Sequence, residues 1–210
     1  MTWVLVVDNH DSFVHTLVGY LRELGADVDM IEADAVDATG LEQLLPGFDG
    51  VLLSPGPGTP ADAGASLDAV RIAARMRMPL LGVCLGHQVI GTAFGVAVRE
   101  APELMHGMVS QVIHDGSALF SGIPSPFAAG RYHSLAVTAD DLPEDFTVTA
   151  TTETGTVMGV SHTRLPIHGV QFHPESVLTE GGYRLLANWL ESCGADGAVA
   201  RSTSLNALSR

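Results

Sequence analysis

Pro79-Leu-Leu-Gly-Val-Cys84-Leu-Gly-His-Gln-Val-Ile-Gly-Thr-Ala-Phe94 places an apolar run, a glycine-flanked cysteine and a helical pattern in immediate succession. Pro79–Val83 reads as a buried strand, because it is continuously apolar rather than alternating. Gly86–Phe94 reads as the helix that follows. Between them, Gly82-Val-Cys84-Leu-Gly86 has the G-x-nucleophile-x-G spacing of a sharp strand-to-helix turn. Such a turn needs glycines on both sides of its central residue to avoid clashes. A cysteine held there sits at a helix N-terminus, where exposed N–H groups and the helix dipole favour thiolate over thiol. A small apolar cysteine in a buried turn has the same local signature, so this stretch alone leaves two readings open.

Working outward, the strand-then-helix alternation repeats through the first half. Trp3–Val7 is an apolar strand, and Phe13, Leu17, Tyr20, Leu21 and Leu24 recur at helical spacing after it. Asp11 and Ser12 are placed to cap that helix, and Gly25 to stop it. Val28–Ile31 and Gly50–Leu53 are further strands, and Ser66–Met76 a further helix. The alternation predicts an α/β fold: a three-layer, doubly wound, mostly parallel sheet with helices on both faces. Beyond residue 97 the pattern changes to short strands at Val109–Ile113, Arg131–Val137, Phe146–Thr152, Thr156–Ser161 and Ile167–Phe172. Gly, Pro and Asp turns join them, so they are expected as antiparallel additions to the same sheet. Thr179–Glu191 is a closing amphipathic helix. One domain is expected over residues 1–193, with a frayed tail over 194–210, where small polar residues show no period.

Composition narrows the function. The 210 residues include 24 acidic and 10 basic side chains, for a formal net charge of −14. That balance argues against nucleic acid or an anionic membrane surface as the main partner. All ten basic residues are Arg, so no lysine can form a Schiff base or hold a phosphate. The two cysteines, Cys84 and Cys193, are too sparse for a disulfide framework. The opening residues lack the basic n-region of a signal peptide, and no apolar run approaches the ~18 residues of a membrane span. A cytoplasmic protein is expected.

Two other stretches carry chemistry. Gln171-Phe-His173-Pro-Glu175 ends an apolar strand with an imidazole and a nearby carboxylate. A thiolate nucleophile needs a proton acceptor, and that base needs a third group to orient it. His173 and Cys84 should emerge at the same C-terminal edge of the sheet. Ser54-Pro-Gly56-Pro57-Gly58-Thr-Pro60 also follows a strand. Its prolines stiffen the loop, and its glycines let a ligand or oxyanion approach backbone N–H groups. The G-x-G-x-x-A spacing within it is not a dinucleotide loop, because Met78 stands where a ribose-binding acid belongs. A P-loop fails for want of G-K-[ST]. A metal site is not expected. His168 and His173 are five apart on a strand and face opposite sides, and His10, His15, His87, His106 and His133 have no ligand spacing.

In combination these pieces resemble the class I (triad) glutamine amidotransferases, and among them the component II subunits of anthranilate synthase and aminodeoxychorismate synthase. The matching stretches are Val7-Asp-Asn-His-Asp-Ser-Phe13, Leu53–Pro60, Leu81–Gln88, Arg131-Tyr-His-Ser-Leu135 and Gly169–Ser176. The resemblance implies Cys84 as nucleophile, His173 as base and acid, and Glu175 as its orienting partner. It implies an oxyanion hole from the backbone N–H groups of Gly56 and Leu85. Pro57 lies within that loop, and Gly58, Gln88, Ser134 and Leu135 would hold glutamine. The ammonia released would pass to a separate chorismate-binding synthase subunit, component I. Chorismate and Mg²⁺ would belong to that subunit, with no cofactor in this chain. His10 and Met108 depart from the family, which usually has Tyr and Lys there. A different enzyme class with the same fold is a stand-alone cysteine hydrolase of γ-glutamyl or peptide bonds. A degenerate, non-enzymatic binding subunit would not need Cys84, His173 and Glu175 together.

Overall fold

The computed structural model describes residues 1–101 and 107–205. The parallel half comprises β1 (Thr2–Asp8), α1 (Val14–Glu23), β2 (Ala26–Glu32), α2 (Ala38–Leu44), β3 (Gly50–Leu53), α3 (Ser66–Met76), β4 (Leu80–Val83) and α4 (Leu85–Ala93). Next come β5 (Val98–Glu100), β6 (Met108–His114), β7 (Phe127–Arg131), β8 (Leu135–Val137), β9 (Phe146–Thr152), β10 (Val157–His162) and β11 (Ile167–Val170). Two helices close the chain, α5 (Gly182–Ser192) and α6 (Ala198–Ser202).

Nine strands form one sheet in the order β2-β1-β3-β4-β11-β10-β9-β6-β7. The pairings β2-β1, β1-β3, β3-β4 and β4-β11 are parallel. The strands beyond β11 pair antiparallel, and β5 and β8 make a separate two-stranded ribbon. Strand period then divides the core in two. Val4 and Val6 of β1 point to the side covered by Leu17, Leu21, Leu186 and Trp189 of α1 and α5. Leu5 and Val7 point to the side covered by Val70, Ile72, Val89 and Ile90 of α3 and α4. Both faces of β1, β3 and β4 are buried, which is why these three strands carry no polar alternation.

The crossover order brings β4 and β11 side by side, with Val83 opposite Val170. Cys84 N donates to Val170 O at 2.9 Å. The chain segments leading to Cys84 and His173 therefore leave the sheet at the same edge.

The structure corrects several expectations. The predicted strand over 131–137 is broken: Arg131 ends β7 in the large sheet and Leu135–Val137 form β8 in the ribbon. Arg131 Nε bonds His133 Nε2 at 3.0 Å, and His133 Nδ1 bonds Leu135 O at 2.8 Å. These contacts fold Tyr132–Ser134 into a loop that no glycine or proline announces. The helix predicted over 179–191 is α5, which starts at Gly182, because the Thr179 hydroxyl donates to His173 O at 2.6 Å and accepts from Gly130 N at 3.0 Å. Asp11 does not cap α1; its Oδ1 accepts from Phe13 N at 2.7 Å, the residue before the helix begins. The frayed tail is corrected through residue 205. Ala198 of α6 is fully buried, and Arg201 Nε donates to Leu24 O at 2.6 Å, at the C-terminal end of α1. The remainder of that expectation, residues 206–210, lies outside the described residues, as does His106.

Candidate active site

The turn at Cys84 has a conformation that few side chains accept: φ is 51° and ψ −101°. Strain of this kind persists only where the surroundings over-determine it. Here the two flanking glycines permit the close contacts. A Cβ on Gly82 would stand 2.4 Å from the carbonyl oxygen of Gly86, and one on Gly86 would stand 2.5 Å from that of Leu53. The turn thus packs against itself and against β3, and it delivers Cys84 to the first turn of α4. Cys193, the other thiol, is buried against Gly50 and Trp189, far along the fold from this edge. Burial pushes its thiol up to about 12.

His173 and Glu175 are both buried, and His173 Nδ1 lies 2.6 Å from Glu175 Oε1. Burial by itself would lower the imidazole pKa. The Glu175 carboxylate, a hydrogen-bonding interaction with Cys84, and the Nδ1–Glu175 bond outweigh it and hold the ring well above its ordinary value. With Nδ1 committed to Glu175, Nε2 is the nitrogen left to exchange a proton, and it is buried. Tyr132 packs edge-on to the ring at 4.9 Å between centroids, and Phe13 at 6.3 Å. Asp11 is close enough to feel both charges; burial raises its carboxyl pKa against a bond from the Phe13 amide.

A cavity of about 140 Å³ opens at Cys84, lined by Gly56, Pro57, Gly58, Leu85, Gln88, Tyr132, His133, Ser134 and Leu135. All seven residues expected to bind substrate are in this lining. Gly56 admits no side chain, because a Cβ would lie 2.5 Å from Asn9 O. Asn9 holds the loop in place: its backbone N donates to Ser54 Oγ at 2.8 Å and its Nδ2 to Ser54 O at 2.9 Å. Leu85 opens α4, so its N–H has no acceptor within the helix. Ala101 N donates to Ser134 O across the ribbon, which turns both backbone polar groups of the next residue, Leu135, away from β5. The Leu135 carbonyl accepts from Gln88 Nε2 at 3.0 Å. A larger cavity, about 600 Å³, lies behind Pro174 between α5 and α6, but neither Cys84 nor His173 lines it.

Sequence reasoning assigned no role to Asn9, Tyr132, Arg131, His133 or Gln171, although all five lie in stretches it singled out. Gln171 was open to prediction, because it precedes His173 by two residues and so shares its side of an extended chain. His87, one residue beyond Gly86, is fully buried, and burial lowers its pKa to about 3. It packs against Gly169 of β11 as a neutral core group. Among the described residues no group of three or more His, Cys, Asp or Glu is disposed to hold a metal ion. No described helix is long and apolar enough to cross a membrane.

Comparison with known proteins agrees with this geometry. The family described as Glutamine amidotransferase class-I matches residues 5–193. Anthranilate synthase component 2 of Mycobacterium tuberculosis is 56% identical over 191 residues, covering 91% of this chain and 82% of the relative. Aminodeoxychorismate/anthranilate synthase component 2 of Bacillus subtilis is 46% identical over 189 residues, covering 90% and 96%. A crystal structure described as that of a GMP synthase subunit from Thermoplasma acidophilum superposes with a TM-score of 0.79 at 31% identity, over 93% of this chain and 95% of that one. A match over nearly the whole chain, with the cysteine turn and the His–Glu pair meeting at one sheet edge, places the chain among the class-I glutamine amidotransferases.

Proposed function

We propose that Cys84, His173 and Glu175 hydrolyse glutamine to glutamate, and that the ammonia passes to a chorismate-using synthase subunit in the cytoplasm. The observation that carries this reading is the buried His173–Glu175 pair, 2.6 Å apart, next to Cys84 and its cavity. Cys84 gives its proton to His173 Nε2, and the sulfur attacks the carboxamide carbon of glutamine. The oxygen takes the charge and rests on the N–H groups of Gly56 and Leu85, each worth roughly 3 kcal/mol in the transition state. His173 returns the proton to the nitrogen, the C–N bond breaks, and ammonia leaves. Water, deprotonated by His173, then cleaves the thioester, releasing glutamate and restoring the thiol. Gln88 commits both amide hydrogens to Leu135 O and Gln171 Oε1. Its carbonyl oxygen is therefore the group it has to offer the glutamine α-ammonium, while Gly58, Ser134 and Leu135 complete the glutamine site.

The names of the relatives support a chorismate-using partner, for anthranilate, aminodeoxychorismate or both. Chorismate and Mg²⁺ belong to that partner in this reading, and this chain uses no cofactor. The test is Cys84→Ser in the reconstituted complex. Glutamine-dependent synthesis should disappear while ammonia-dependent synthesis persists. Loss of both would contradict the assignment. Strong stimulation of glutaminase activity by the synthase subunit is expected. Full activity of the isolated chain on γ-glutamyl peptides would instead favour a stand-alone hydrolase.

A further inference from the structure

Gln171 is fully buried one residue past the end of β11. Its Nε2 lies 3.6 Å from Cys84 Sγ, and its Oε1 lies 3.1 Å from Gln88 Nε2. The direction of each bond is fixed by chemistry. Leu135 O can only accept, so Gln88 must present its NH₂ group there, at 3.0 Å. The same nitrogen meets Gln171, which must therefore present oxygen, because a flipped amide would set two NH₂ groups against each other. The Gln171 NH₂ is thereby turned onto the sulfur. The anchor is equally determined. Arg131 Nε is only a donor, so His133 Nε2 accepts from it at 3.0 Å, and His133 carries its proton on Nδ1 and donates to the same Leu135 O at 2.8 Å. One backbone carbonyl in the lining of the cavity thus fixes the amide that touches the sulfur.

We infer that Gln171 is a positioning residue for the nucleophile: its amide N–H holds the Cys84 sulfur as thiolate, in an orientation set from β8 through Gln88. The inference rests on the reading of Cys84 as the nucleophile. A hydrogen bond to the charged form favours that form, and a donor aimed by two further bonds does so without reorganising. The same bond fixes the sulfur's position over its neighbours. Because Leu135 lines the cavity, a ligand that shifts β8 would also shift the donor on the sulfur.

The test is the pH dependence of Cys84 alkylation by iodoacetamide, followed by peptide mass in a Cys193→Ser background. Gln171→Leu and the unbranched Gln171→Met both remove the donor while filling the site. The midpoint of the alkylation curve should rise by about one pH unit, so that alkylation below the midpoint slows about tenfold, while the high-pH plateau stays near that of the parent. A structural loosening would move the plateau and leave the midpoint in place. An unmoved midpoint in a variant that keeps its thermal transition would overturn the inference. Failure of the underlying reading shows separately, as glutamine hydrolysis that survives Cys84→Ser.

Discussion

At the residue scale, the proposed chemistry rests on the His173–Glu175 pair. With Glu175 at 2.6 Å from Nδ1, the ring is held above its ordinary pKa against the opposing effect of burial. A raised histidine pKa adds stability that is complete below the unfolded value of 6.5 and fades as pH rises through the folded value. Glu175→Gln should remove the carboxylate's charge, lower the ring pKa and reduce glutaminase turnover on the order of a hundredfold. Its stability deficit against the parent, read from denaturant midpoints at a series of pH values, should be largest near pH 6 and shrink toward alkaline pH. A deficit that grows with pH would contradict the sign of this coupling. The Cys84 turn and the His173–Glu175 pair were legible in the sequence, because glycines flank the cysteine between a strand and a helix, and the histidine and the acid follow the last apolar strand. Gln171 was not assigned, because its bonds to Gln88 and Cys84 join segments remote in sequence, and His133 was not, because its short-range bonds to Arg131 and Leu135 follow no pattern of residue types. No local pattern records which amide a backbone carbonyl will orient.

At the level of single elements, the cysteine turn and the glycine loop stand on close backbone approaches. Gly86→Ala would drive a methyl carbon to 2.5 Å from Leu53 O, a contact with backbone that cannot swing away. The substitution should destabilise the fold by roughly 1–3 kcal/mol, measured by urea unfolding, and weaken activity beyond that loss by displacing Cys84. Stability equal to the parent's would show that the β3–α4 contact gives more easily than the geometry implies. Periodicity located the parallel strands and α3 closely, since strands buried on both faces and an amphipathic helix leave strong signals. It ran a single strand from Arg131, the last residue of β7, through β8, because Arg131–Val137 contains no glycine or proline. Burial of Arg131, a tertiary effect, and its short-range bond to His133 break that segment and shape one wall of the cavity.

On the scale of the whole molecule, parallel pairing of β4 and β11 brings residues 84 and 173 to one edge, and the antiparallel extension supplies Gly130 and the loop over them. The tail contributes as well. Truncation after Gly194 removes buried Ala198 and the Arg201 bond to Leu24 O, so the denaturation free energy should fall by roughly 1–3 kcal/mol, with the active site intact. An unchanged transition would show that α6 adds nothing to the fold. The small, aperiodic residues of this segment gave no sign of packing, although Ala195, Ala198, Val199 and Leu205 all pack on the core. Covalent catalysis at Cys84 is the claim on which the rest depends, and its most direct measurement is peptide mapping after reaction with an electrophilic diazoketone analogue of glutamine. The account predicts a single adduct on Cys84, prevented by excess glutamine. An adduct on Cys193 instead, or glutamine hydrolysis that continues after Cys84 is fully modified, would contradict it.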